Sequence, residues 1–370
     1  VILVLDTVVL AGSHVPFNSA LLRVLHLAYP QEDILMGAAG SHIAILRCEP
    51  GMEAVRFDLL DEQAGKSFGA LLLAYIRDQE PENVVVSGCS AEQLRVVREI
   101  ASRRRDISFD AFMHSELAEP AHWRSRNPLT RRKDMFGTIA RGFPANMRLV
   151  VLEYAIETRL RSIARRKQAV AVFPHPLPGG AHLSSERRGW EAGRRSISFI
   201  GGTFAIKGFG TFVDIARAHQ GAFDFQVIGE RTSDYSKKND SLFSMPPSEG
   251  KLRRSVFDSA LGSTDIICLP LDPIRYSWAA SGTLLDAIAF GIPVLTNRTA
   301  ITDDWERRYG PFGLLAGNGR DMRRLVQALS DETLDIELNA EQSRARAVIA
   351  ADRAEPAIAA KFALHGRASS

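Results

Sequence analysis

Short runs of consecutive apolar residues alternate along this chain with stretches whose apolar positions recur every three or four residues. The first pattern predicts buried strands of a parallel sheet, and the second predicts helices that cover it. In the first half, strands are expected at 2–10, 34–38, 84–88, 111–114, 149–154 and 169–173, with helices at 19–28, 66–78, 91–104 and 156–166. The pattern then restarts, with strands at 197–201, 225–229, 265–270 and 293–296 and helices at 210–218, 252–261, 284–290 and 321–329. The fold class expected is α/β, with two Rossmann-like doubly wound domains facing a cleft. The run Pro174-His175-Pro176-Leu177-Pro178-Gly179-Gly180 marks the linker between them. The expected domains are therefore 1–178 and 179–340, with a C-terminal helix at 341–370 that packs back on the first domain. Ligands of such sheets sit at the carboxyl ends of the strands.

Composition narrows this only a little. The chain has 370 residues, 45% hydrophobic and 24% charged, which is the profile of a soluble globular protein. No apolar run approaches the roughly 20 residues of a membrane span. Val1-Ile2-Leu3-Val4-Leu5 is interrupted by Asp6 and reads as a first buried strand, not a signal peptide. Cys48, Cys89 and Cys268 have neither metal-ligand spacing nor an obvious pairing, which points to a reducing cytoplasm.

Charge changes the picture more. The net charge is +3, yet residues 103–167 hold 15 Lys or Arg against 7 Asp or Glu. The densest part is Arg124, Arg126, Arg131, Arg132 and Lys133, with Trp123 and Phe136 nearby. Two readings of the 123–136 region stand. One is a solvated helix face. The other is a surface for anionic lipid head groups or a diphospholipid acceptor, which would place the protein peripherally at the inner face of the membrane. No nucleic-acid module surrounds these residues, so no nucleic-acid partner is expected.

The most informative stretch is Ser281-Gly282-Thr283-Leu284-Leu285-Asp286-Ala287-Ile288-Ala289-Phe290-Gly291-Ile292-Pro293-Val294-Leu295. It reads as a glycine-containing turn, a short helix, a glycine stop and a buried strand. Ser281, Gly282 and Thr283 would offer backbone N–H groups at a helix N-terminus, where the partial positive charge suits a phosphate. An ordinary N-cap is the plainer reading, and the two are compatible. Asp286 lies one turn further on, able to accept from a sugar hydroxyl or simply to complement the helix dipole. A diphosphate beside a ribose is a nucleotide-sugar. Lys207, before Gly208 in a strand-to-helix loop, can reach such a diphosphate as a mobile point charge, or can be a surface lysine. There is no GxSxG elbow, P-loop or zinc spacing, and Asp303-Asp304 lack the one-residue gap of a metal-binding Asp-x-Asp pair.

Four pieces in order carry a family resemblance. They are Phe199-Ile200-Gly201-Gly202-Thr203 with Lys207-Gly208, Phe225-Gln226-Val227-Ile228-Gly229-Glu230, Ser263-Thr264-Asp265-Ile266-Ile267-Cys268-Leu269-Pro270, and Leu285-Asp286-Ala287-Ile288-Ala289-Phe290-Gly291-Ile292-Pro293-Val294. On these residues the second half resembles the donor-binding domain of GT-B glycosyltransferases, in particular the large retaining family (glycosyl transferases group 1) of bacterial polysaccharide and lipid glycosylation. The first half matches more loosely, through Gly12-Ser13-His14, His114 and the hinge-like Phe173-Pro174-His175-Pro176.

The resemblance implies a hexosyltransferase that moves a sugar from a nucleotide diphosphate-sugar to a hydroxyl of a saccharide or lipid-linked acceptor, with retention and without a metal or other cofactor. It implies catalytic roles for Lys207, His114 and Asp286. Donor contacts would come from Gly201, Gly202, Glu230, Arg275, Tyr276, Ser281, Gly282 and Thr283, and acceptor contacts from Gly12, Ser13 and His14. Glu116 and Glu119 are further acceptor-side candidates, and Trp278 and Tyr276 are either sugar-stacking aromatics or core. Two departures matter. The first of the family's paired carboxylates falls on Trp278, and the arginine expected five residues before Lys207 is Gly202. Arg275 is the candidate for the lost charge. These departures keep open a non-catalytic GT-B-like subunit supporting a partner; a second rival is a different enzyme on the same fold, a non-hydrolysing nucleotide-sugar epimerase.

Overall fold

A computed structural model of the chain describes residues 1–7, 14–60, 67–119, 134–163, 169–178, 194–330 and 340–366. They fall into two compact units. Unit one draws on 1–179, 278–280 and 352–370, and unit two on 180–277 and 281–351.

Unit one runs β1 (Ile2–Leu5), α1 (Val15–Ala28), β2 (Ile34–Ala38), α2 (Gly40–Leu46), β3 (Val55–Leu59), α3 (Phe68–Gln79), β4 (Asn83–Val86), α4 (Ala91–Arg103), β5 (Ser108–Met113), α5 (Met135–Ala140), β6 (Met147–Val151), α6 (Tyr154–Ile163) and β7 (Val170–Val172). The seven strands form one sheet in the order β3-β2-β1-β4-β5-β6-β7, every pairing parallel. β1, β2 and β4 are buried at every position, which is why, apart from Asn83 at the start of β4, they read as apolar runs. Helix starts are set locally. Ser90 and Gln93 form a capping box at α4, and Ser67 caps α3.

Unit two runs β8 (Ser196–Ile200), α7 (Phe209–His219), β9 (Asp224–Ile228), α8 (Arg254–Gly262), β10 (Ile266–Leu269), α9 (Gly282–Ala289), β11 (Val294–Asn297), α10 (Ala300–Tyr309), β12 (Leu314–Ala316), α11 (Gly319–Ser330) and α12 (Ala340–Asp352). Its parallel sheet has the order β12-β11-β10-β8-β9. Its core gathers Phe199, Phe209, Phe212, Phe225 and Phe243 under α7 and α11.

The chain's last described segment belongs to unit one. Helix α13 (Glu355–Ala359) sends Ile358 into the core, followed by Phe362 and Leu364. The Phe362 ring meets Phe112 at 6.0 Å and Phe173 at 5.0 Å. Arg23 and Glu355 pair at 2.7 Å. Arg353 lies against Glu153 at 2.7 Å with side-chain exposures of 0% and 1%, and its Nη1 also donates to the His175 carbonyl. A guanidinium this deep stays charged only because a carboxylate and a carbonyl replace its water.

Several expected elements differ. The C-terminal helix expected at 341–370 is two helices, α12 and α13, with Pro356 in the first turn of the second. The strand expected at 149–154 ends at Val151, and Tyr154 already opens α6. Of the strand expected at 2–10, residues 8–10 lie outside the described residues. Strands β3 and β12 and helices α2, α5 and α10 were not expected. The two strands are sheet edges. β3 carries Arg56 and Asp58, so it lacks a buried strand's apolar run. α2 opens on a glycine, α5 contains Gly137, and α10 is rich in Asp, Glu and Arg.

The buried pair gives a direct test. Arg353→Met leaves Glu153 buried without its counter-charge and is expected to destabilise unit one by about 3–5 kcal/mol. Adding Glu153→Leu removes the stranded charge and should recover a large part of that loss. Denaturant unfolding checks this; a double variant as unstable as the single one would contradict it.

Candidate functional site

In a doubly wound sheet the connections part at one place, above the central strand and the neighbour reached second. In unit two that place is the carboxyl end of β8 and β10. Three glycines shape it. Gly201 follows β8 with φ +93°. A Cβ on Gly229, which follows β9, would lie 2.0 Å from the Gly201 carbonyl oxygen. A Cβ on Gly208, at φ +76°, would lie 1.8 Å from the Pro270 carbonyl oxygen. No other residue fits either approach.

The loop after β8 is thereby pressed onto the strand ends. Lys207 closes its short 3-10 turn, Ala205–Lys207. Lys207 Nζ lies 2.8 Å, and Thr283 Cγ2 3.0 Å, from the point a Gly201 Cβ would occupy, so ammonium, strand end and the start of α9 converge there. Ser281 caps α9, its Oγ accepting from Leu284 N at 3.2 Å and lying 3.0 Å from Thr283 Oγ1. Open space faces Gly282 where a side chain would stand. The first N–H groups of α9 have no acceptor within the helix and carry its positive end.

Asp286 follows one turn along. It is 8% exposed, and its Oδ1 accepts from Arg254 Nη1 at 2.9 Å. Arg254 Nε in turn lies 2.8 Å from Asp258. Burial pushes the Asp286 carboxyl up to about 6, against the pull of Arg254 and Lys207. Burial lowers the Lys207 ammonium from its ordinary range, while Asp286 and Glu230 oppose that shift. Gly202, buried, lies under the half-exposed ring of Phe204, whose Cε2 would be 2.6 Å from a Cβ there. The position where the resemblance implies an arginine is therefore covered by an aromatic ring.

The other residues expected on the donor side lie in turns and strand ends with backbone contacts. The Glu230 carbonyl accepts from Thr203 N at 3.1 Å. Arg275 and Tyr276 lie in the 3-10 turn Arg275–Ser277, where Asp272 Oδ1 accepts from Arg275 N at 2.8 Å. Tyr276 is buried, and burial pushes its hydroxyl up to about 12. Trp278 groups with unit one, where its ring meets Phe136 at 5.0 Å and Arg159 at 4.5 Å. It is a packed side chain there, 6% exposed.

In unit one the connections part above β1 and β4. Asp6 follows β1, Ser87 follows β4, and His114 follows the next strand, β5. His114 Nε2 donates to the Ser87 carbonyl, which leaves Nδ1 with its lone pair. Burial holds this imidazole well below its ordinary pKa, so it is neutral. His14 stacks on it at 4.5 Å, and Phe17 meets it edge-on at 4.2 Å. The His114 backbone N–H donates to Glu116 at 2.6 Å, and burial raises the Glu116 carboxyl. Burial also acts to raise Asp6, but His14, the Asn18 amide at 2.6 Å and His42 together hold it below the ordinary carboxylate range. His175 is pushed down to about 4 by burial.

The structure thus brings Gly201, Lys207, Thr283, Ser281, Gly282 and Asp286 to one end of unit two, and His14 and His114 together in unit one. Gly12 and Ser13 lie outside the described residues, as does the basic region except for Asp134, Met135 and Phe136. Sequence reasoning missed Arg254, Phe204, Asn18 and His42. It also missed a role for Asp6, though a carboxylate ending an apolar strand was visible. Among the described residues, no three His, Cys, Asp or Glu side chains are placed to hold a metal ion.

No family model and no curated protein matches this sequence. Solved structures do. HepE from Anabaena, in complex with UDP and glucose, superposes with a TM-score of 0.69 at 14% identity over 97% of each chain. A glycosyltransferase from Rickettsia africae gives 0.68 at 11% identity over 97% of this chain and 96% of that one. The lipopolysaccharide outer core galactosyltransferase WaaB, in its apo form, gives 0.65 at 10% identity with the same coverage. At these identities the likeness establishes a fold, and the fold is that of GT-B glycosyltransferases.

The histidines of unit one predict an acid response. An unfolded chain protonates His175 near pH 6.5, whereas the folded chain takes that proton only near pH 4. The stability tied to the neutral ring is complete above the upper value and is lost as the pH falls towards the lower one, amounting to about 3 kcal/mol. Asp286 works in the opposite sense between its ordinary value and about 6, so the comparison must be with a variant. His175→Gln should flatten the fall in unfolding free energy between the two pH values; curves that stay parallel to wild type would refute the assignment.

Proposed function

We propose that this protein is a glycosyltransferase. It transfers a hexosyl group from a nucleoside diphosphate-sugar to a hydroxyl of a saccharide or lipid-linked acceptor, in bacterial surface-polysaccharide or glycolipid synthesis. The observation that carries this reading is the meeting of Lys207 Nζ, Gly201 and Thr283 beside the capped start of α9. A desolvated ammonium next to unpaired helix N–H groups suits a diphosphate better than any neutral ligand. The fold relatives add support, since HepE is known with UDP, with UDP-glucose, and with UDP and glucose.

In this reading Lys207 offsets the charge that grows on the departing nucleoside diphosphate, as do the N–H groups of Gly282 and Thr283. Asp286 accepts from the ribose, and Glu230, Arg275 and Tyr276 line the nucleotide. His114, neutral and with Nδ1 available, accepts from a sugar hydroxyl, with His14, Gly12 and Ser13 on the acceptor side. The resemblance in sequence favours retention, with the leaving phosphate taking the acceptor's proton. Lys207 and the helix end make a metal dispensable for charge neutralisation. No helix among the described residues is long and apolar enough to cross a membrane. An acceptor at a membrane surface would be met through the basic 123–136 region, from the cytoplasmic side.

A thermal-shift panel of UDP, GDP, ADP, CMP and dTDP, with and without magnesium, tests the donor site. One diphosphate is expected to stabilise the protein with or without metal. Absence of any shift would favour a non-catalytic subunit. With the donor identified, Lys207→Ala should lower turnover by about 100-fold or more; near-normal turnover would remove Lys207 from the mechanism.

A further inference from the structure

Helix α8 begins at Arg254, and the i,i+4 spacing places Arg254 and Asp258 on one face. That face carries the guanidinium to Asp286 on α9. Arg254 therefore joins two carboxylates from two helices, and its side chain is 39% exposed where the Asp286 side chain is 11%. The pairing is one-sided. Nη1 engages Asp286 Oδ1, and among the described residues no hydrogen bond reaches Oδ2. A carboxylate in that state is charged, fixed at one oxygen, and still has acceptor capacity at the other. It stands one turn inside α9, whose start meets Gly201 and the Lys207 ammonium. Burial alone would favour the neutral acid, which donates where a hydroxyl ligand needs an acceptor.

We propose that Arg254 is a positioning residue for the nucleotide: it holds Asp286 ionised and anchored by Oδ1, so that Oδ2 accepts a ribose hydroxyl and the site selects ribo- over deoxyribonucleoside diphosphates. The inference rests on the nucleotide-sugar reading. Arg254 need not touch the ligand. Lysine at 254 would restore the charge but not the two fixed N–H edges by which Arg254 reaches Asp286 through Nη1 and Asp258 through Nε.

The test uses the full chain, as wild type, Arg254→Met and Arg254→Lys. The probes are UDP, GDP and ADP, each with its 2′-deoxy and 3′-deoxy counterpart, and binding is followed by calorimetry. Thermal unfolding of each variant verifies that it is folded. Wild type is expected to bind one ribonucleoside diphosphate about tenfold or more tighter than a deoxy counterpart. Arg254→Met should collapse that ratio to within about twofold of unity by weakening the ribo form, with the deoxy form little changed. Arg254→Lys should fall between. A structural role alone would weaken both forms together and leave the ratio intact, and that result would overturn the proposal. So would a wild type that binds a diphosphate without discriminating. A wild type that binds none of the probes overturns the nucleotide reading itself, and this inference with it.

Discussion

A parallel sheet wound in both directions from one inner strand leaves a single gap in its covering loops, and both units of this chain are organised around that gap. In unit one it lies above β1 and β4, and the polar residues Asp6 and Ser87 follow those two strands. In unit two it lies above β8 and β10, and there the gap is narrowed by backbone contact. Gly229 presses on Gly201, and Gly208 presses on Pro270. Without those approaches the loop carrying Lys207 would stand off the sheet, and its ammonium could not share a point with Gly201 and Thr283.

Buried charge takes two forms here, and the difference separates architecture from chemistry. Glu153 and Arg353 are both essentially inaccessible, and both carboxylate oxygens are engaged, at 3.1 and 2.7 Å. Such a pair has nothing left to offer a ligand and acts only to fix the C-terminal segment against the start of α6. Asp286 and Arg254 are joined through one oxygen, and both remain partly accessible. The half-satisfied carboxylate is the more strained arrangement, its pKa raised to about 6 despite a cation at 2.9 Å. Residues that keep capacity in reserve at the end of a sheet are where ligand chemistry is expected.

The fold class was legible because buried strands of a parallel sheet must be apolar at every position, as 2–5, 34–38 and 266–269 are. Edge strands obey no such rule, and β3 and β12 left no comparable trace. The placing of Lys207, Ser281, Gly282, Thr283 and Asp286 at one end of unit two was legible because local chain geometry sets it: a loop after a strand, a capped helix start, one turn beyond it. Arg254 and Phe204 were not. Arg254 looks like any solvent-facing arginine on a polar helix start until α9 supplies a carboxylate 32 positions away. Phe204 looks like a loop residue until its ring is seen over Gly202. The partners of both are chosen by tertiary packing, which a single sequence does not reveal. Trp278 was half legible, aromatic and close to the motif, but the neighbours that pack it, Phe136 and Arg159, are more than 100 positions away.

Phe204 over Gly202 also constrains how the proposed reaction handles charge. An arginine at that position would bring a second permanent cation to the diphosphate. The half-exposed ring of Phe204 brings no charge there, which leaves the charge to the cation beside Gly201. That cation is Lys207, whose pKa burial lowers while Asp286 and Glu230 oppose the shift. An arriving diphosphate favours the protonated ammonium in the same sense as those carboxylates, and more strongly because it carries more charge. Binding and charge stabilisation would then be one event at Lys207, with the ring of Phe204 standing where the missing arginine would have been.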